Sequence, residues 1–208
     1  MKEIIMPITV SEILKSQNLT LCGKVKWGQS FKSPHCGIYI VSYSKNEDDI
    51  GELIKTPPIS KEQVIFWLNK VQTFELDKKK NPQIEDVIER LSKYWIQDES
   101  ILYIGMTSAT LSIRVSQYYN TELGERRPHA GGHWLKTLSN LSDLYVYYSE
   151  CSIFQNIEAN LLDYFGKNIS ESSKKLLFDT NLILPFANLE HPLRGRKKHG
   201  IGKAKLKD

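Results

Sequence analysis

The sequence predicts an α+β fold: a small sheet of about three strands with helices set between them. Three observations carry this. Segments rich in β-branched and aromatic residues occur at 37–44, 101–105 and 143–149. The stretches between them repeat apolar residues at helical 3–4 spacing. Strand and helix patterns are intermixed, and there is no internal repeat. With 208 residues the chain suits one domain with an elaboration, or two small ones.

Taken in order, residues 10–15 read as a short amphipathic helix with Ser11 near its cap, and the Gly-, Ser- and Pro-containing stretch 23–34 as a loop or ribbon. The first strong strand sets Ile38 and Ile40 against Tyr39 and Val41 on opposite faces. After Pro57 and Pro58, Ser60 caps a helix with Val64, Ile65, Leu68 and Val71 on one face, which a turn at 77–82 ends. A second helix carries Ile84, Val87, Ile88 and Leu91 and closes at Tyr94 and Trp95. Together they read as a helical hairpin inserted at about 45–100, an embellishment or else a recognition or dimerisation element. Gly105 bounds the second strand, and Leu111, Val115, Tyr118 and Tyr119 mark the next helix. A basic loop spans 124–133, and Trp134, Leu135 and Leu138 suggest a short helix. The third strand sets Leu144, Val146 and Tyr148 against Tyr145 and Tyr147. Ile153, Ile157, Leu161, Leu162 and Phe165 then share a helix face, 171–178 reads as a short helix, and 184–192 is turn-rich.

Composition narrows the class. Hydrophobic residues make up 40% and charged ones 25%, which excludes global disorder. No apolar run reaches roughly 18 residues, so no membrane-spanning helix is expected. The first ten residues lack a basic region followed by an apolar one, so a secretory leader is not expected either. Cys22, Cys36 and Cys151 have no CxxC spacing and read as reduced thiols of a cytoplasmic protein. The net charge of +4 is unevenly placed: residues 194–208 hold seven Lys/Arg against Asp208 alone, a net of +6, leaving −2 for the other 193 residues. Residues 45–100 hold nine Lys/Arg and twelve Asp/Glu, a net of −3. A basic tail of this kind suits nucleic acid through counterion release, or is a solvated terminus. On this pattern the tail and basic loop meet phosphate while the acidic insertion faces elsewhere.

Several residues could carry chemistry. Tyr39 and Tyr103 each lie two residues from a glycine in a short strand, as Gly37-Ile38-Tyr39 and Tyr103-Ile104-Gly105. Arg114 and Tyr118, four apart, share a helix face. Glu158 borders an apolar stripe, and Asn188 lies in a turn-forming stretch. Singly, these read as β-favoured tyrosines, a helical cation, a core-edge aromatic, a rim carboxylate and a turn residue. Arg126, Arg127, His129 and His133, with a Gly pair between the histidines and Lys136 after them, suit close approach to a phosphate backbone. His129 and His133 could instead be zinc ligands, but no partner has motif spacing.

The ordered set, GIY, YIG, a helical Arg, a Glu on a later helix and a late Asn, resembles the GIY-YIG nuclease superfamily. The resemblance covers roughly 37–188 and implies a three-stranded antiparallel sheet flanked by helices. The two tripeptides usually stand about ten residues apart; here 63 residues intervene, as in larger bacterial and restriction-type members. The domains then read as an N-terminal extension (1–36), a GIY-YIG-like nuclease domain with its insertion (37–192) and a basic tail (193–208). The resemblance implies that Glu158 holds one Mg²⁺ or Mn²⁺ otherwise coordinated by water and phosphate, and that Arg114 stabilises charge on the scissile phosphate. It implies that Tyr39 activates the attacking water, Tyr103 positions water or phosphate, Tyr118 orients one of them, and Asn188 supports the site. A tyrosine with an ordinary pKa of about 10 is a poor base at neutral pH, so the site must favour phenolate through Arg114 or another cation. Many relatives have Lys directly after YIG; here it is Met106.

The expected activity is metal-dependent hydrolysis of DNA phosphodiester bonds in restriction, phage defence or mobile-element biology. Arg126, Arg127, His129, His133, Lys136, Arg194, Arg196, Lys197 and Lys198 are the expected nucleic-acid contacts. A nuclease that cuts both strands with one site per chain commonly dimerises, so a homodimer joins DNA among the expected partners. The rival reading is a catalytically silent nucleic-acid-binding module, with a structural or protein-interaction domain behind it.

Overall fold

A computed structural model describes residues 7–125, 132–152 and 156–206. The fold is mixed α+β with antiparallel sheets. The main sheet is built from β1 (Gly23–Lys26), β2 (Gly37–Ser42), β5 (Ile101–Thr107) and β6 (Tyr145–Glu150), in the order β1-β6-β2-β5, every pair antiparallel. It therefore has four strands where the sequence led us to expect three. The fourth, β1, comes from the stretch read as a loop or ribbon. Its alternation is short, with Lys24 and Lys26 exposed and Val25 opposite Val146. Gly23 lies under the Tyr148 ring, where a Cβ would come within 2.5 Å of the phenol oxygen.

Every residue of β2 is buried, because both faces of the sheet are covered. One face carries Tyr39, Val41, Tyr103 and Val146. It packs on α4 (Leu111–Asn120) through Leu111, Val115 and Tyr118, and on Trp134 of the 3₁₀ helix His133–Thr137. The other carries Ile38, Ile40, Ile104 and Tyr147. It packs on α1 (Val10–Lys15) and on α5 (Ile157–Asn168) through Leu161, Leu162 and Phe165. Thr9 rather than Ser11 caps α1, in a reciprocal pair with Glu12. A short helix, α6 (Glu171–Leu176), follows α5. Among the described residues no helix is long and apolar enough to cross a membrane.

The insertion is more than a helical hairpin. Between α2 (Lys61–Lys70), capped by Ser60, and α3 (Ile84–Ser92) runs a β-ribbon, β3 (Val71–Leu76) and β4 (Lys79–Lys80). Asp77 and Lys78 join them with φ of 50° and 68°, the left-handed pair of a two-residue hairpin turn. Lysine stands where glycine usually marks such turns, so the hairpin is masked in the sequence. Val71, counted with the helix from its spacing, instead starts the strand.

The tail corrects a second expectation. After the ribbon β7 (Glu190–His191) and β8 (Gly195–Arg196), strand β9 (Ile201–Leu206) pairs antiparallel with β3. Tail and insertion thus share one sheet, β4-β3-β9, rather than facing apart. Arg90 of α3 locks the joint. It holds both Asp77 carboxylate oxygens, at 3.0 and 2.6 Å, and donates to the His199 carbonyl at 2.8 Å. Truncation after Gly200 should expose one edge of β3. Hydrogen exchange at Val71–Leu76 is expected to accelerate by about tenfold or more, with β2 and β6 unchanged. Unaltered protection in β3 would contradict the pairing.

Candidate functional site

Tyr39 faces Gly105 across the β2–β5 ladder, and this register brings the two glycine–tyrosine motifs together. A Cβ at position 105 would lie 2.6 Å from the Tyr39 ring and 2.6 Å from the Tyr103 ring, so only glycine lets the phenols approach. Their centroids stand 5.7 Å apart. Tyr118 of α4 completes the cluster at 6.4 Å from Tyr39 and 5.2 Å from Tyr103. All three tyrosines are buried. The Tyr118 hydroxyl donates to the Gly132 carbonyl at 2.8 Å, and Gly132 sits at φ 70° with no room for a Cβ beneath that phenol. The closeness that the Gly pair was expected to give a phosphate is used at Gly132 by Tyr118.

Arg114 and Glu158 meet this cluster from the two sides of the sheet. The Arg114 guanidinium and the Tyr103 hydroxyl both hydrogen-bond the Tyr39 side chain. Burial pushes the Tyr39 phenol up to about 12, while Arg114 and the Tyr103 hydrogen bond pull it down. Burial also holds Tyr103 and Tyr118 well above their ordinary values. Glu158, in the first turn of α5, rises to about 7, chiefly because burial disfavours its charge; Arg114 opposes the shift and Glu190 adds to it. Glu158 shares a cleft of about 310 Å³ with Tyr103, Gly132, Asn188, Glu190 and Arg196.

Asn188 fixes the wall that carries Tyr103. Its Oδ1 accepts from the Ile104 N–H at 2.9 Å and its Nδ2 donates to the Ile104 carbonyl at 2.7 Å, while the Ala187 N–H donates to the Leu102 carbonyl at 2.9 Å. The segment therefore covers the outer edge of β5.

The structure thus brings Tyr39, Tyr103, Arg114, Tyr118, Glu158 and Asn188 to one place, and Arg196 with them. The other expected phosphate contacts scatter. Lys136 donates to the Tyr119 carbonyl at 2.7 Å beside Trp27, and burial lowers it to about 8. Arg194 pairs with Asp163 at 2.9 Å. Lys197, read from the sequence as a phosphate contact, is buried instead. It donates to the Pro185 and Phe186 carbonyls at 2.8 and 3.1 Å between the Tyr94 and Trp134 rings. Lys198 is exposed, and its backbone N–H donates to Asp179. His133 is half-buried next to Gly132. Arg126, Arg127 and His129 lie outside the described residues. Sequence reasoning missed Glu190, an exposed carboxylate paired with Arg196 at 3.4 Å; one acid in a turn-rich stretch gave no signal.

Among the described residues no group of three or more His, Cys, Asp or Glu is placed to hold a metal ion. Glu158, with Glu190 at the rim, still fits a hard hydrated cation, which takes one or two carboxylates and fills its other positions with water and phosphate oxygen. Comparisons with known protein families, with curated proteins and with solved structures yield no match.

Two measurements check this geometry. Asn188→Ala strands a buried N–H and carbonyl on β5 and should cost about 2–3 kcal/mol in urea unfolding; a loss under about 0.5 kcal/mol would show the edge satisfied otherwise. Glu158 holds an extra proton when folded between its ordinary value of 4.5 and about 7. Stability from this proton is present at low pH and lost as pH rises through about 7. Glu158→Gln should therefore gain on the wild type by about 2 kcal/mol between roughly pH 5 and pH 8. Parallel stability curves for the two proteins would refute the shift.

Proposed function

We propose that the protein is a metal-dependent endonuclease of GIY-YIG type that hydrolyses DNA phosphodiester bonds. The observation that carries this reading is that Arg114 and the Tyr103 hydroxyl both bond the buried Tyr39 side chain while Tyr103 itself lines, with Glu158, the adjoining cleft, from segments spread over 120 residues of chain. The antiparallel pairing of β2 with β5 is in keeping with it. In this reading Arg114 stabilises charge on the scissile phosphate. Tyr103 lines the cleft and contacts the water or phosphate there. Tyr39 takes the proton of the attacking water; burial disfavours its phenolate, and the guanidinium and the Tyr103 hydroxyl offset only part of that. Glu158 would hold one Mg²⁺ or Mn²⁺, which when bound supplies Lewis-acid polarisation of a phosphoryl oxygen. Arg196 is the tail residue placed to reach substrate, paired with Glu190 until it does. Restriction, phage defence or mobile-element cutting in a cytoplasmic setting, with a homodimer severing both strands, is the biology this chemistry suits.

Plasmid cleavage with Mg²⁺ or Mn²⁺ tests the reading. Arg114→Ala and Glu158→Ala should each lower the rate by about 10²-fold or more. Because Tyr39 keeps its proton at neutral pH, the rate should climb about tenfold per unit between roughly pH 7 and pH 9, as the phenolate fraction grows. A pH-independent rate would remove Tyr39 from the base role. One observation favours the silent module instead: Met106 follows Gly105 where many of the family's members have Lys, and it packs against the second core. Intact plasmid across metals, with salt-sensitive DNA binding retained, is the outcome of that reading.

A further inference from the structure

The chain's three cysteines, far apart in sequence, meet at one end of the main sheet. Gly37 faces Glu150 in the β2–β6 ladder, so Cys36 and Cys151, the next residues outward, stand opposite each other. The Cys151 N–H donates to the Cys36 carbonyl, and the Cys36 thiol donates to the Cys151 carbonyl, both at 3.2 Å. Gly23 faces Tyr148 in the β1–β6 ladder, which sets Cys22 beside Ser149, two residues from Cys151 and on the same side of β6. Cys22 is anchored there: its N–H donates to the Tyr148 carbonyl at 2.9 Å, and its sulfur accepts the Glu150 N–H at 3.3 Å. Directly opposed residues such as Cys36 and Cys151 stand about 4.5–5.5 Å apart and diagonal ones such as Cys22 and Cys151 about 7–8 Å. A disulfide spans Cα separations of about 4.4–6.8 Å, so a Cys22–Cys151 bridge requires the end of β1 to close on β6 by about 1 Å. The thiols differ in access: Cys22 is exposed, Cys36 and Cys151 half-buried.

We propose that this cluster is an oxidation site for hydroperoxides, in which Cys22 is attacked first and Cys151 resolves it to an intramolecular disulfide. In the first step the Cys22 sulfur takes an oxygen from the hydroperoxide. The S–O bond forms as the O–O bond breaks, and with hydrogen peroxide the second oxygen leaves as water. In the second step the Cys151 sulfur attacks that sulfenic acid. The S–S bond forms, the S–O bond breaks, and the hydroxyl leaves as water with the Cys151 proton. Sulfur is oxidised and the peroxide reduced, so no other reactant is needed. The order follows from the site. Cys22 is the most exposed of the three, whereas the half-buried Cys151 extends β6, the strand between β1 and β2, and burial keeps its proton on. The product would tie the exposed edge strand β1 to β6. The inference stands independently of the nuclease reading, since none of the three residues belongs to the cleft.

The test treats the reduced full-length protein with hydrogen peroxide, alkylates remaining thiols, and maps peptides by mass spectrometry without reduction. The expected product is a Cys22–Cys151 cross-link within one molecule, with Cys36 still alkylated. Cys22→Ser should abolish the cross-link, and Cys36→Ser should leave it. Three alkylated thiols after peroxide would overturn the proposal. So would Cys22 driven to sulfinic or sulfonic acid without a cross-link, a Cys36–Cys151 bridge that persists in Cys22→Ser, or links only between molecules. Circular dichroism of each variant before oxidation separates a lost thiol from a lost fold.

Discussion

The rest of the structure depends on the burial of β2 on both faces. A strand covered on one side could let its outward residues vary with solvent; here every residue faces protein. Period-two alternation then assigns Ile38 and Ile40 to one core and Tyr39 to the other, where α4 brings Arg114 and Tyr118. A slip of one residue in register would exchange the two cores and carry Tyr39 away from Arg114. The glycine opposite Tyr39 matters for the same reason: it makes space for two rings at one level of the sheet.

Around this strand the protein accepts several ionisable groups in poor solvent. Burial pushes Glu158 to about 7 and Glu99, which accepts the Ile8 N–H, to about 9, and lowers Lys197 to about 7. Lys197 is the informative case. Its Nζ donates to the carbonyls of Pro185 and Phe186, just ahead of the asparagine that clasps Ile104. Two residues beyond Lys197, the His199 carbonyl is held by Arg90 of the insertion. A continuous line of polar contacts therefore runs from the inserted sheet through the tail to the strand bearing Tyr103. The insertion and the candidate site are parts of one packed body joined by the last third of the chain.

Local pattern made much of this legible. The strands expected at 37–44 and 101–105 run over 37–42 and 101–107. The Ser60 cap and the helix bearing Arg114 stand where periodicity and capping placed them, and the helix bearing Glu158 starts at Ile157, with Ile153 outside the described residues. What local pattern could not show was pairing over distance. β1 has only Val25 to pack inward, and β9 reads as solvated lysines until β3 is known to be its partner. Lys197 looked like its neighbours Arg196 and Lys198, yet an aromatic box formed by Tyr94 and Trp134 draws it inside. The meeting of Tyr39 with Tyr103 was expected on resemblance. The role of Gly105 as the space between them needed coordinates.

The clasp on Ile104 also bears on synthesis. The outer edge of β5 is covered by residues that follow it by 84 positions. At typical elongation rates of about 5–20 residues per second, that interval lasts roughly 4–17 s. Throughout it the nascent strand has an uncovered row of amides and carbonyls, the kind of edge that recruits a neighbouring chain. Crowded polysomes would feel this most, so expression yield should respond to how quickly codons 105–188 are read.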